Sequence, residues 1–142
     1  MKKLIFLIAS AIFPILVFGA EKYDNIPEAF IGHLQEKDFQ KAVESIYPDQ
    51  DKSYLSTPDG ALIISKLKHD LEGYGEYKYH ELISEEKIGT RFVIVTYIVG
   101  MQFKPSYMSF KLYRPEEHWA VLNFKYNDNL HTLKKQNVKD TK

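Results

Sequence analysis

The second half of the chain holds four β-rich segments, and the links between them are too short for parallel neighbours. After Tyr74 the apolar spacing changes from helical to alternating and β-branched. The predicted strands cover 76–84, 90–103, 107–113 and 118–126, and the longest link, 85–89, has five residues. A parallel crossover needs about a dozen residues. The sequence therefore predicts a four-stranded antiparallel meander.

Two helices are predicted ahead of the sheet. Asn25 begins the first, with Pro27 and an acid following in the first turn. The apolar residues of 26–34 and 39–46 each have helical spacing, but on one straight helix they would face in opposite directions. A break with Asp38 as the cap of a second helix lets both faces meet one core.

A third helix is predicted between the second helix and the sheet. Pro48 is expected to end the second helix, and a polar link, 49–53, follows. Ser56 and Thr57 before a proline form a new start signal with a hydroxyl cap. The third helix is expected to end at Gly73 and Gly75.

The start of the chain has the pattern of a secretory signal peptide. Two lysines precede an apolar run, 4–18, which Gly19 and Ala20 close. The run is shorter than the ~20 residues of a membrane-spanning helix, so we favour cleavage over an uncleaved anchor, with the exact site open. We therefore predict a signal peptide over 1–20, one domain over 21–128 and a polar tail over 129–142, in a periplasmic or secreted protein.

Charge and cysteine content exclude several classes of function. The chain has 19 basic and 19 acidic residues, and loss of 1–20 leaves 17 basic against 19 acidic. Binding to a nucleic-acid backbone needs clustered excess basic charge, so no nucleic-acid partner is expected, and no membrane partner after cleavage. The chain has no cysteine, which excludes disulfides, thiolate metal sites and a lipoprotein anchor. The exported domain must be stable through its core alone.

The predicted second strand is apolar on both of its alternating faces. A sheet covered by helices on one side should show a polar face on the other. Either the sheet curls around this strand or a second subunit covers it, and we favour a homodimer through the sheet. The apolar residues of this strand are Phe92, Val93, Ile94, Val95, Tyr97, Ile98 and Val99.

Two segments of the chain carry a resemblance to a known family: 39–48 after Lys37-Asp38, and Trp119-Ala120-Val121 with Asn123-Phe124. The first is similar to the opening helices, and the second to the closing strand, of the nuclear-transport-factor-2-like (cystatin-like) superfamily, which the chain resembles over about 24–128. The resemblance implies an α+β fold, with three N-terminal helices packed on a strongly curved four-stranded antiparallel meander in a cone shape. The superfamily includes ketosteroid isomerase, scytalone dehydratase and polyketide cyclases, whose acid/base sites lie in the cone, and also non-catalytic proteins. No local motif here matches one of those sites.

The candidate site residues are few. The five histidines lack metal-ligand spacing, so neither a metal nor another cofactor is expected. His80 is a weak candidate for a general base, provided that it is buried beside a carboxylate. If an apolar pocket exists, Tyr97, Trp119 and Asn123 are the predicted wall, with Trp119 and Asn123 on one strand face. The ten tyrosines are consistent with a ring-lined pocket for an apolar or aromatic ligand, but we favour strand propensity as the explanation of their number.

Three hypotheses of function follow from the sequence. The first is an exported non-catalytic domain that binds a small apolar ligand or a protein partner. The second is a small cofactor-free isomerase, dehydratase or cyclase with an acid/base site in the cone. The third is a structural or assembly subunit that acts through its sheet face. The sequence does not identify the ligand or the partner.

Overall fold

Among the described residues, the helices come first along the chain and are followed by four strands, which form a single sheet. The computed structural model describes residues 22–47 and 49–129, so the predicted signal peptide, Pro48 and residues 130–142 of the tail lie outside the described residues. After a turn at Lys22–Asn25 come α1 (Ile26–Gln35), α2 (Phe39–Ile46), a 3-10 helix (Asp49–Ser56) and α3 (Pro58–Glu72). The strands are β1 (Tyr77–Ile88), β2 (Phe92–Met101), β3 (Pro105–Tyr113) and β4 (Ala120–Asn127).

The predicted break between the first two helices is confirmed. Lys37 adopts a left-handed conformation with a φ of 60°, which ends the first helix. The Asp38 carboxylate then accepts a hydrogen bond from the Lys41 amide at 3.0 Å and caps α2. Both apolar faces reach the same core, because Phe30 of α1 and Val43 of α2 are buried in one cluster.

The structure corrects two details of the helical half. Residues 49–53 were expected to be a polar link, but they belong to the 3-10 helix that continues to Ser56. The described residues therefore contain three α-helices and a 3-10 helix. Asn25 precedes α1 as predicted, but it is left-handed with a φ of 58° and makes no side-chain cap hydrogen bond. Short polar residues tolerate this conformation better than others do.

The third helix begins and ends as predicted. The Thr57 hydroxyl accepts a hydrogen bond from the Gly60 amide at 3.2 Å, and Pro58 occupies the first turn. The helix ends at Glu72, directly before Gly73. Its buried residues include Leu67 and Leu71, which lie on the side of the helix that packs in the core.

The sheet is the predicted antiparallel meander in the order β1-β2-β3-β4, and it is curled. All four strands differ from their predicted bounds by one or two residues at one or both ends, and the end of β1 differs most. Residues 85–89 were expected to be a link, but β1 runs on to Ile88, which pairs with Phe92. The connection is a tight turn, in which Gly89 has a φ of 66° that glycine adopts without strain. The longer ladder extends the β1–β2 pairing along nearly all of β2.

The core lies between the helices and the inner face of the sheet. Val93, Val95 and Val99 of β2 line this face with Phe110 and Leu112 of β3, and all five are buried. Inner and outer faces follow from the register, since directly paired residues share a face. Among the described residues, no helix has the length and apolar character that crossing a membrane requires.

Candidate functional site

An open apolar cavity lies between α2, α3 and β4. Its volume is about 500 Å³, within the range of small-molecule sites. Ile63 and Leu122 line it and remain exposed to 38% and 58%. The other lining residues are Val43, Ile46, Tyr47, Asp51, Lys66, Leu67, Val121, Asn123, Phe124 and Tyr126.

One wall of this cavity is held by a polar network on α3. The Tyr126 hydroxyl donates to Asp70 Oδ2 at 2.8 Å, and Lys66 Nζ donates to the same oxygen at 2.6 Å. The hydrogen bond from Lys66, together with that from Tyr126, lowers the pKa of Asp70 below its usual range. Burial and the hydrogen bond to Asp70 raise the pKa of Tyr126, so its phenol stays protonated. The ring of Tyr126 is therefore a preformed part of the cavity.

A second cavity is too small to hold a ligand of similar size. It lies beside the C-terminal ends of α1 and α3 and the start of β1, and its volume is about 200 Å³. Small-molecule sites begin at roughly 300 Å³. We therefore take the larger cavity as the better candidate for ligand binding.

A cluster of ionisable groups joins the first turn of α1 to β1 and β2. Glu28 Oε2 lies 3.0 Å from His80 Nε2, and Glu28 Oε1 accepts a hydrogen bond from the Tyr97 hydroxyl at 2.9 Å. His80 Nδ1 lies 2.7 Å from the Tyr77 hydroxyl. We call Glu28, Tyr77, His80 and Tyr97 the Glu28 cluster. It brings a carboxylate, an imidazole and two phenols together at one end of the core.

The ability of each group to donate or accept hydrogen bonds determines where the protons lie in the Glu28 cluster. An ionised carboxylate only accepts hydrogen bonds, so Glu28 requires a proton on His80 Nε2. In the neutral imidazole Nδ1 then accepts from Tyr77. Burial, and then the hydrogen bond to Glu28, raise the pKa of Tyr97, which keeps it protonated as a donor. The four side chains therefore form a continuous hydrogen-bonded series, Tyr97–Glu28–His80–Tyr77.

Accessibility and neighbouring contacts also show what this cluster does for the fold. The side chains of His80 and Glu28 are exposed to 31% and 45%, so His80 lies beside a carboxylate but is only partly buried. Nearby, Tyr23 donates a hydrogen bond to Glu85 on β1. Burial and this hydrogen bond raise the pKa of Tyr23 to about 12, and the same bond is the main reason that the pKa of Glu85 is lowered. These contacts fasten the start of α1 to the sheet.

The residues predicted to form a ligand pocket do not come together. Tyr97 is buried in the Glu28 cluster, whereas Trp119 packs edge-on against Tyr23 with ring centroids 5.1 Å apart. Asn123 lines the large cavity, where neither of the others is found.

The expectation that Trp119 and Asn123 share one strand face rested on unbroken alternation, and it is wrong. A bulge in β4 places Val121 opposite buried Leu112 but Asn123 opposite exposed Lys111. Trp119 itself precedes the strand, which begins at Ala120.

The sequence did not single out Glu28 as a site residue. It indicated only an acid in the first turn of α1, where such residues stabilise the helix. The partners of Glu28 are 52 and 69 positions away in the chain. Among the cavity residues, Asn123 was predicted as a pocket wall, whereas Val43 and Ile46 of α2 were expected only to face the core. Nothing in their spacing signals the space between them.

Comparison of this chain with protein-family models, with curated proteins and with solved structures found no match. Within the described residues, no group of three or more histidine, aspartate or glutamate side chains is placed to hold a metal ion. Interpretation of the site therefore depends on its geometry and chemistry.

Proposed function

We propose that this protein is an exported, non-catalytic domain that binds a small apolar ligand in the cavity between α2, α3 and β4. The observation that carries this proposal is the 500 Å³ volume combined with exposed Ile63 and Leu122 at its edge. A ligand in this position would remove both side chains from water, which is favourable by about 25 cal/mol per Å² of apolar area. Tyr47 and Lys66 offer polar side-chain atoms for orienting one end of the ligand.

Export and family membership belong to the same proposal. The basic, apolar and small-residue segments of 1–20 support export. The curled four-stranded meander after helices 26–35, 39–46 and 58–72 supports a nuclear-transport-factor-2-like cone. In that architecture the space between helices and sheet is where ligands bind, and the large cavity occupies such a position.

Filling the cavity is expected to abolish ligand binding while leaving the fold intact. Ile46 lines the cavity and is only partly buried, so an Ile46→Trp side chain can occupy the open volume. We expect the wild-type chain to enhance the fluorescence of anilinonaphthalene sulfonate, an apolar probe with one anionic group. Ile46→Trp should weaken its binding by about tenfold or more, the equivalent of roughly 1.4 kcal/mol. Fluorescence titration measures this change.

Leu82→Trp is the matched control, because Leu82 is a half-exposed aliphatic residue on β1, outside the cavity lining. This variant should bind the probe as the wild type does. Thermal unfolding monitored by circular dichroism must show that both variants are folded, since partly unfolded proteins also bind this probe. Equal affinity of Ile46→Trp and the wild type, or no binding by the wild type, would contradict the proposal.

The Glu28 cluster supports a second candidate, a cofactor-free acid/base enzyme. Its supporting observation is the hydrogen-bonded series Tyr97–Glu28–His80–Tyr77, which orients one imidazole nitrogen as a base. We rank this candidate lower, because each of the imidazole nitrogens already has a side-chain partner. Holding α1 against the sheet accounts for the same contacts.

A generic proton-abstraction assay distinguishes this candidate from the first. In 5-nitrobenzisoxazole a base removes the carbon-bound proton while the nitrogen–oxygen bond breaks, which releases a coloured phenolate. The enzyme hypothesis expects His80→Ala to lower the rate by about a hundredfold, the usual contribution of a general base. His69→Ala, a change at an exposed histidine of α3, should have no effect. A wild-type rate equal to that of His80→Ala would refute the enzyme hypothesis and leave ligand binding unaffected.

A further inference from the structure

The lining of the large cavity between α2, α3 and β4 contains two charged side chains, and the two differ in their partners. Lys66 Nζ lies 2.6 Å from Asp70 Oδ2, so a neighbouring carboxylate balances the positive charge on this wall. Asp51 is the other charged lining residue, and it forms no ion pair with any residue that the structure describes. These three charges therefore sum to one negative charge, which Asp51 contributes.

The charge of Asp51 lies close enough to the Tyr47 phenol to act on it. Burial of the phenol, and then the neighbouring Tyr54 and Asp51, raise the pKa of Tyr47, so its hydroxyl stays protonated. Asp51 belongs to the 3-10 helix and is exposed to solvent, whereas Tyr47 directly follows α2 and is partly buried. Asp51 therefore lies on the open side of the cavity, where a charged end of a ligand stays in contact with water.

The aromatic side chains of the lining also favour a positive charge. The face of an aromatic ring attracts an ammonium group that lies within about 6 Å of the ring centre. The lining contains the rings of Tyr47, Phe124 and Tyr126. The chain already uses one of them in this way, because Lys66 Nζ lies 6.0 Å from the centroid of the Tyr126 ring. Tyr47 offers a second ring, near a carboxylate whose charge is not balanced by an ion pair.

We propose that the cavity binds a cationic amphiphile, an apolar molecule with one amine or quaternary ammonium group, and that this group pairs with Asp51. The inference rests on the proposed function, because it names the class of ligand that the same cavity takes. The apolar part of the ligand contacts Leu67 and Val121, and the ammonium lies by the Asp51 carboxylate and the Tyr47 ring. Aromatic rings are the usual surroundings of quaternary ammonium groups in binding sites.

An anionic ligand fits the same cavity less well. Lys66 is the basic residue of the lining, and its ammonium already donates a hydrogen bond to Asp70 at 2.6 Å. The same carboxylate oxygen accepts a hydrogen bond from the Tyr126 hydroxyl, which holds Asp70 in place beside Lys66. An anion that approached Lys66 would also meet the Asp70 carboxylate, and like charges repel one another. The charges of the lining therefore favour a cation over an anion.

Three competitors that share an eight-carbon chain separate the effect of charge from that of apolar contact. At neutral pH 1-octylamine is cationic, 1-octanol is uncharged and octanoate is anionic. Each is titrated in low salt against N-phenyl-1-naphthylamine, an uncharged fluorescent probe, bound to protein purified after expression of the full chain. We expect octylamine to bind about fivefold or more tightly than octanol, since an exposed ion pair and a cation–ring contact both add to its affinity. Octanoate should bind most weakly.

Substitution of Asp51 by asparagine tests whether this carboxylate selects the charge of the ligand. Asp51→Asn keeps the size of the side chain and removes its charge, so octylamine should lose most of its advantage over octanol. The affinity for octanol should not change, because the apolar walls are the same. Asp59→Asn is the matched control, since Asp59 is an exposed acid in the first turn of α3, outside the cavity lining. This variant should keep the full preference for octylamine.

The outcomes separate this inference from the proposed function once circular dichroism shows that each variant is folded. Equal affinities of the wild type for octylamine and octanol would overturn the inference and leave apolar ligand binding intact. Tightest binding of octanoate, or a preference for octylamine that Asp51→Asn retains in full, would overturn it as well, since Asp51 would not select the ligand. Failure of the probe and of all three competitors to bind would contradict the proposed function itself, and the inference with it.

Discussion

Replacing Phe110 with alanine is expected to lower the free energy of unfolding by about 3–5 kcal/mol, the usual cost of a large aromatic truncation in a core. Phe110 is fully buried on the inner face of β3. Its ring packs against Phe30 of α1 at 5.5 Å and against Phe124 of β4 at 4.9 Å between centroids. It also meets Tyr97 edge-on at 6.3 Å. The substitution therefore leaves a cavity where the helices and three strands meet.

Phe103→Ala provides the matched control for this prediction. Phe103 follows β2 and is exposed to 72%, so its truncation should change stability by no more than about 0.5 kcal/mol. Urea unfolding monitored by circular dichroism measures both variants. Similar losses for Phe103→Ala and Phe110→Ala would mean that the aromatic cluster does not hold the helices on the sheet.

The sequence predicts the architecture well because the architecture depends on local signals. Asp38 and Thr57 cap the helices that they were expected to cap, since the cap hydrogen bond reaches only three residues along the chain. The antiparallel order of the sheet follows from short links, which permit no other pairing. By contrast, the end of β1 depends on how far Ile88 and its neighbours pair with β2, and periodicity does not determine that length.

The candidate sites could not be predicted, because they depend on contacts between distant parts of the chain. Glu28 meets His80 and Tyr97 only once α1 has packed on the sheet. His80 was a candidate on the condition of a neighbouring carboxylate, but its sequence neighbour, Glu81, points to the opposite face of β1. The bulge in β4 places Val121 and Asn123 on opposite faces of the sheet. No glycine or proline in the sequence marks its position.

The outer face of the sheet likewise combines a feature that the sequence predicts with one that depends on strand pairing. The apolar residues on both alternating faces of the second strand predicted either that the sheet curls around this strand or that a second subunit covers it. A charge gradient across this face, from Glu86 on β1 to Lys125 on β4, became visible only with the register. Composition hides this gradient, because equal numbers of acidic and basic residues give no net charge.

Replacing Gly60 with alanine is expected to destabilise the fold by about 1–3 kcal/mol, the usual effect of forcing an extra group into a packed site. Gly60 lies in the first turn of α3, in close contact with the backbone of the preceding 3-10 helix. A Cβ atom at this position would lie 2.2 Å from the carbonyl oxygen of Tyr54 and 2.5 Å from the Cα of Leu55. Both atoms belong to the backbone, so the clash cannot be relieved by rotation of a side chain. Movement of α3 would also strain the hydrogen bond from the Gly60 amide to Thr57.

The substitution Gly32→Ala separates this steric effect from helix propensity. Gly32 lies inside α1, and no heavy atom would come within 4 Å of an added Cβ there. Alanine should therefore stabilise this helix by roughly 0.5–1 kcal/mol, because it loses less backbone entropy than glycine on folding. Glycine-to-alanine substitution is thus expected to raise the free energy of unfolding in α1 and to lower it in α3, as measured by thermal or urea unfolding. Stabilisation by Gly60→Ala would contradict the close packing of α3 against the 3-10 helix. That packing helps to position Leu67 and Lys66 of α3 along the large cavity.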